Sequence, residues 1–301
     1  QLENKLVSKY NKVMASAKIK FEGGVYNLSQ MGKFTTDVDR ERRKKASKAV
    51  AKFFEKHHEE IGQIYDDLVH TRDNMAKKLG FKNYVELGYM RLGRCDYNAE
   101  MVANYRKQVE KVLVPVWKKL YKRQMKRIHI RNPRFYDMGL NFLSGNPTPI
   151  GNPEYLVNKA NEMYHEMSKE TGAFFEYMVD NHMMDLIAKP GKQGGGYMTY
   201  LPEYKCPFIF SNFNGTSGDV DVLTHEFGHA YQGYCSRNIK VSSYRSPTLE
   251  ACEIHSMSME FFAWPWMDKF FGKDDDKYRF AHLADAIMFV PYGVTVDEFQ
   301  H

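Results

Sequence analysis

Apolar residues recur at three- and four-residue intervals through 1–20, about 37–80, 98–128 and 153–188, which is the spacing of one buried helix face. Thr35, Thr36 and Asp37 offer N-cap candidates for the second of these stretches. Turn-forming residues gather at 21–24, at 131–133 and most densely at 145–153. The last cluster is the best internal boundary and predicts two regions, 1–150 and 151–301. Strand patterning is confined to short runs between Tyr197 and Phe213. The expected fold is therefore mainly α, with one small β-sheet. No repeat or low-complexity segment interrupts it.

One helical stretch carries chemistry. Val220, Val222, Leu223, Phe227 and Ala230 form an apolar stripe, and Thr216-Ser217-Gly218-Asp219 before it has the form of a capping box. Within the stripe lies His225-Glu226-Phe227-Gly228-His229. Residues four apart on a helix face the same way, so both imidazoles can reach one ion, and neutral imidazole is a good ligand for Zn2+. Glu226, about 100° further round the helix, can reach a water beside that ion without being a ligand. A buried helix with two hydrogen-bonded histidines and a satisfied glutamate would carry the same letters.

A catalytic zinc needs a third protein ligand and an open fourth position. The metzincin continuation, Gly and then His at three-residue steps, is absent, because Gln232 and Cys235 stand there. The next helix is expected to start near Ser246 as N-cap and Pro247 as its first residue. Glu250, Glu253, His255 and Glu260 are all ligands by type, and spacing does not choose among them. Cys252 reads as a small buried thiol rather than a ligand.

These segments resemble the M3 oligopeptidases, in particular the oligoendopeptidase F and Pz-peptidase branch. In that family the zinc helix reads H-E-F/L-G-H, and the third ligand opens a segment of the form E-V/I-x-S-x-x-x-E. Glu253-Ile254-His255-Ser256-Met257-Ser258-Met259-Glu260 has this form and begins 24 residues after His229. The resemblance thus implies His225, His229 and Glu253 as ligands of one Zn2+, Glu226 as general base, and Glu260 as a buried partner on the same helix. Gly194-Gly195-Gly196-Tyr197 and Pro207-Phe208-Ile209-Phe210-Ser211-Asn212-Phe213 resemble the family's glycine-rich loop and the strand before the zinc helix. By that likeness Gly195, Gly196, Tyr197, Phe210 and Asn212 would flank the substrate, with the strand pairing extended peptide or serving as an ordinary core strand.

The implied fold is a zincin-type helical catalytic domain with its sheet beside the active-site helix, and 1–150 forming one wall of a channel. The implied activity is hydrolysis of internal bonds in oligopeptides. The family also implies a further N-terminal helical region and a C-terminal segment whose Tyr and His residues hydrogen-bond the tetrahedral intermediate. The present sequence lacks an initial Met and extends 48 residues past Glu253, short of where that segment is expected. A related zinc carboxypeptidase and a zinc-braced peptide-binding module are the alternatives. Cobalt or manganese also suits such a donor set.

Composition narrows the setting. With 301 residues and 43% apolar content the chain can bury a large core. It contains no apolar run of about 18 residues, and its first residues lack the apolar centre of a signal peptide. The net charge of +6 is concentrated in stretches such as 40–48 and 118–134. Leu120, Tyr121 and Met125 keep helical spacing within the latter, so its lysines and arginines read as the wet face of a helix rather than a nucleic-acid surface. Four cysteines without C-x-x-C pairing suit a reducing cytoplasm. No pattern specifies an oligomeric state.

Overall fold

A computed structural model describes all residues, 1–301. In chain order the elements are α1 Leu2–Ala15, β1 Ile19–Phe21, β2 Gly24–Tyr26, α2 Gly32–Thr35, α3 Arg40–Lys56, α4 His58–Lys78, α5 Tyr84–Arg91 and α6 Ala99–Arg127. There follow α7 Pro153–Met167, α8 Lys169–Asp180, β3 Met184–Ile187, β4 Tyr197–Leu201, β5 Cys206–Phe213, α9 Gly218–Ser236, α10 Cys252–Phe262, α11 Asp268–Phe271 and α12 Asp275–Phe299. The fold is mainly α, with two small sheets where the sequence predicts one. None of the helices is long and apolar enough to cross a membrane.

Two compact units make up the chain, the first from 1–14, 35–145 and 280–301, the second from 15–34 and 146–279. The break at 145/146 falls in the proline-rich stretch, but 15–34 and 280–301 each join the unit across it from their sequence neighbours. In the first unit the expected helix over 37–80 is two helices that meet at His57, which is the C-cap of α3 and the N-cap of α4. The cap of α3 is Asp39, whose carboxylate accepts from the Glu41 and Arg42 backbone, rather than Thr35, Thr36 or Asp37. Asp37 is instead the partner of Arg42.

Two of the expected helical stretches end early, and the residues beyond those ends belong to the second unit. Expected helix 1–20 stops at Ala15, and Ile19–Phe21 pairs antiparallel with Gly24–Tyr26 across a turn in which Glu22 and Gly23 both have positive φ. The stretch 153–188 breaks at Ser168, whose hydroxyl accepts from Thr171 N–H and caps α8, and it ends in strand β3. Short apolar runs such as Met184–Ile187 are ambiguous by period alone, and parallel pairing with β5 makes this one a strand.

The three-stranded sheet has the order β3-β5-β4, with β3 parallel and β4 antiparallel to β5. β5 is thus central and nearly buried along its length. Helix α9 packs on this sheet and α10 packs on α9. The core beneath is aromatic: Phe227 stacks on Tyr164 with centroids 3.7 Å apart and touches Phe174 and Phe175. Phe227, Leu223, Val220 and Ala230 are fully buried, so the apolar stripe of α9 faces inward.

Candidate metal centre

The start of α9 is built differently from a capping box. Ser217 holds the N-cap position in a helical conformation without a side-chain bond. The Asp219 carboxylate instead accepts from the N–H groups of Asn214 and Gly215, both at 2.8 Å, while the Asn214 side chain accepts from the Thr216 hydroxyl at 2.7 Å. Burial raises the Asp219 carboxyl to about 6 against the pull of those two donors. The carboxylate fastens the turn between β5 and α9, and so fixes where the helix begins.

From that start His225 and His229 emerge on one face, with ring centroids 4.9 Å apart. Their Nε2 atoms converge on the carboxylate of Glu253, lying 3.0 and 3.3 Å from its Oε2. These three side chains are the group whose ligand atoms all lie within 4.8 Å of one another. The far side of each ring is occupied: His225 Nδ1 meets Glu260 Oε1 at 2.6 Å, and His229 Nδ1 meets His255 Nε2 at 3.1 Å. A hydrogen on each Nδ1 leaves each Nε2 a lone pair for a cation. Ser256 donates to Glu253 Oε2 at 2.6 Å and orients that carboxylate.

The neighbours tune these groups. Burial works against a charge on His225, but the Glu260 carboxylate outweighs it and raises the ring above the ordinary histidine range. Burial keeps His229 below that range. Glu253 lies below the usual carboxylate range: burial acts to raise it, but the Ser256 hydroxyl and the two imidazoles prevail. Burial raises Glu226.

Glu226 stands apart from the three converging groups. It is buried, its Oε2 has no hydrogen-bond partner, and the backbone N–H of Met198 donates to its carboxylate. An orphaned carboxylate oxygen beside two imidazoles and a second carboxylate fits a site for one divalent cation and a water. The nitrogen and oxygen donors, with both distal ring nitrogens bonded, suit Zn2+.

The remaining expectations sort by position. α10 begins at Cys252 after a turn at 249–251, so Ser246 and Pro247 precede the helix without capping it. Glu250 lies in that turn outside the converging group, and His255 faces His229 instead of the centre. Cys252 is half-buried rather than buried, because it sits at the exposed helix start, where its thiol donates to Leu249 O at 3.0 Å.

Among the residues expected to flank substrate, Gly195 has φ +88, and a Cβ on Gly196 would stand 2.8 Å from Val222 Cγ1 and 3.6 Å from Glu226 Oε1. Tyr197, nearly half exposed, stacks on Phe210 at 4.9 Å. Asn212 spends its amide on the loop, donating to Gln193 O and Gly195 O at 2.8 Å each. The strand 207–213 is paired on both sides and is a core strand, so the sheet edge available to a peptide beside this centre is β4. Periodicity gave no sign of the Met198 N–H or of Lys192, whose side chain turns inward at the foot of the glycine-rich loop. The Pro190-Gly191 pair marks a turn there but says nothing of the lysine's direction.

Residues 150–288 match peptidase family M3. Oligoendopeptidase F of Lactococcus lactis subsp. cremoris is 28% identical over 142 residues, which are 45% of this chain and 23% of that protein. The solved structure of Pz peptidase A with an inhibitor is 58% identical with a TM-score of 0.99, covering all of this chain and 53% of its own. A Bacillus anthracis strain Ames structure described as an oligoendopeptidase F is 57% identical with a TM-score of 0.98, again over the whole chain and 55% of its own. The chain thus spans about half the length of these solved relatives.

Proposed function

Because residues 150–288 are a peptidase family M3 domain, we propose that this chain carries the catalytic centre of a zinc endopeptidase that cuts internal bonds of oligopeptides. The observation that carries the reading is the convergence of His225 Nε2, His229 Nε2 and the Glu253 carboxylate within 4.8 Å, beside the unpartnered oxygen of Glu226. His225, His229 and Glu253 would hold the ion. Bound Zn2+ supplies Lewis acidity to the scissile carbonyl and to the attacking water.

The side chains of this protein do the rest. Glu226, placed by the Met198 N–H and raised by burial, takes the water's proton at its free oxygen and passes it to the leaving amine. Glu260 and His255 keep both ligand rings turned with Nε2 outward. The free edge of β4 offers backbone groups to an extended peptide, which favours unstructured substrates over folded ones.

The test combines metal content after dialysis with cleavage of a peptide blocked at both ends. One zinc per chain is expected in the wild type, retained in Glu250→Ala and lost in Glu253→Ala. Glu226→Gln is expected to keep the metal and lose cleavage. A Glu226→Gln enzyme turning over at the wild-type rate would overturn the role given to that carboxylate.

A further inference from the structure

The nine residues 188–196 cross from β3 to β4 over the end of the sheet and deliver backbone to Glu226. Their first half is shaped by a turn in which Lys192 N–H donates to Lys189 O at 3.1 Å, with Pro190 and then Gly191 at φ +76 between them. Proline followed by a left-handed glycine is what a type II turn requires. Asn27 and Gln30 also hold this half, donating to Lys189 O and Ala188 O. The second half is Gly194-Gly195-Gly196, which has the least intrinsic preference for any one conformation.

Lys192 stands between the halves and is the buried lysine of this chain, with its side chain 3% exposed. Its ammonium donates to Asp185 O at 2.9 Å and Ile187 O at 3.0 Å, and pairs with Asp185 Oδ1 at 3.1 Å. It also lies 4.4 Å from the centroid of Phe210, the ring on which Tyr197 stacks. A buried ammonium is retained only where donors and charge are met, and here all three hydrogens have partners. From the other side, Asn212 holds Gln193 O and Gly195 O. Immediately beyond, Gly196 packs beside Glu226 and Met198 N–H donates to it.

The geometry points to Lys192 as a positioning residue for catalysis: with Asn212 it latches the glycine run to the sheet, so that the Gly196–Met198 backbone stays against the Glu226 carboxylate. This deepens the peptidase reading and rests on it. The lysine touches neither the metal ligands nor, by its burial, a bound peptide. Its effect therefore runs through the placement of the base, which belongs to kcat rather than KM. Misplacing a catalytic group by about 1 Å lowers the rate on the order of 100-fold.

The zinc-loaded chain is compared as wild type, Lys192→Met, Lys192→Arg and Asn212→Ala, by hydrogen exchange and by steady-state cleavage of a blocked peptide. In Lys192→Met, exchange should accelerate over 193–198 and not in α9 or α10. Zinc content should stay at the wild-type value, and kcat should fall on the order of 10- to 100-fold with KM within about twofold. Lys192→Arg should recover most of the kcat. Asn212→Ala should loosen the same segment, and decides the matter if Lys192→Met does not fold. Wild-type exchange over 193–198 in both variants, or faster exchange with unchanged kcat, overturns the proposal. If the wild type itself cleaves nothing, the peptidase reading fails instead, and the exchange comparison still decides whether the latch exists.

Discussion

His225 can offer Nε2 to a cation only while Nδ1 keeps its hydrogen, and Glu260 Oε1 at 2.6 Å holds that hydrogen in place. Removing the carboxylate frees the ring to take the other tautomer or to turn. Glu260→Ala is expected to weaken zinc binding about 10- to 100-fold, measured by competition with a chromophoric chelator. The pH dependence gives a second readout. In the proposed site zinc needs a neutral His225, and Glu260 raises the pH at which that ring takes a proton, so wild-type affinity should decline as pH falls through a range above the ordinary histidine value. In Glu260→Ala the decline should begin at lower pH; an unshifted profile would mean that Glu260 does not govern this ring. The residue types were legible in the sequence at 225, 226, 229, 253 and 260, but spacing did not divide the labour among the glutamates, and the choice of Glu253 as ligand with Glu260 as buried partner came with the family resemblance; Glu250 stands in the turn before α10, while Glu253 and Glu260 differ in where that helix carries them.

Helix against helix, the critical contact is at Gly228. A Cβ there would lie 2.7 Å from Ser256 Cα and 2.8 Å from His255 O, both backbone atoms of α10. The glycine allows α9 and α10 to approach closely enough for Glu253 to reach the two imidazoles. Gly228→Ala improves helix propensity by about 1 kcal/mol but forces the backbones apart, and overpacking of this kind costs about 1–3 kcal/mol. The expected net result is a lower urea midpoint at unchanged m, together with loss of zinc as Glu253 withdraws. An alanine variant as stable and as metal-loaded as the wild type would show that the helices can separate without consequence. Phe227 beside it fills the aromatic core under the sheet. The motif's two middle letters are therefore packing residues, a division that the four-residue histidine spacing alone could not reveal.

Across the whole molecule, stability in the first unit hinges on a buried charge cluster. Asp137 accepts from Arg40, Arg43 and the backbone N–H of Arg134, and both Arg43 and Asp137 are fully buried. Burial alone would raise the Asp137 carboxyl, but the arginines and the N–H prevail and hold it at about 2. A depressed carboxyl contributes stability that is complete above the ordinary value of 3.8 and is lost as pH falls from there toward 2. Hydrogen exchange in α3 should accordingly accelerate over that acid window. Asp137→Ala should destabilise the unit by about 3–5 kcal/mol at neutral pH by leaving Arg43 buried without its partner, and should remove this part of the acid response. By itself, the sequence determined the mainly helical class, the apolar stripe of α9 and the presence of two imidazoles and a carboxylate on one turn, because helical period and residue type are local properties. Only the tertiary structure decided that Met184–Ile187 is a strand, that 207–213 lies in the centre of its sheet, that Glu253 meets the histidines while Glu260 backs His225, and that Lys192 turns inward. Each of these depends on which distant backbone comes alongside, and no local periodicity records that.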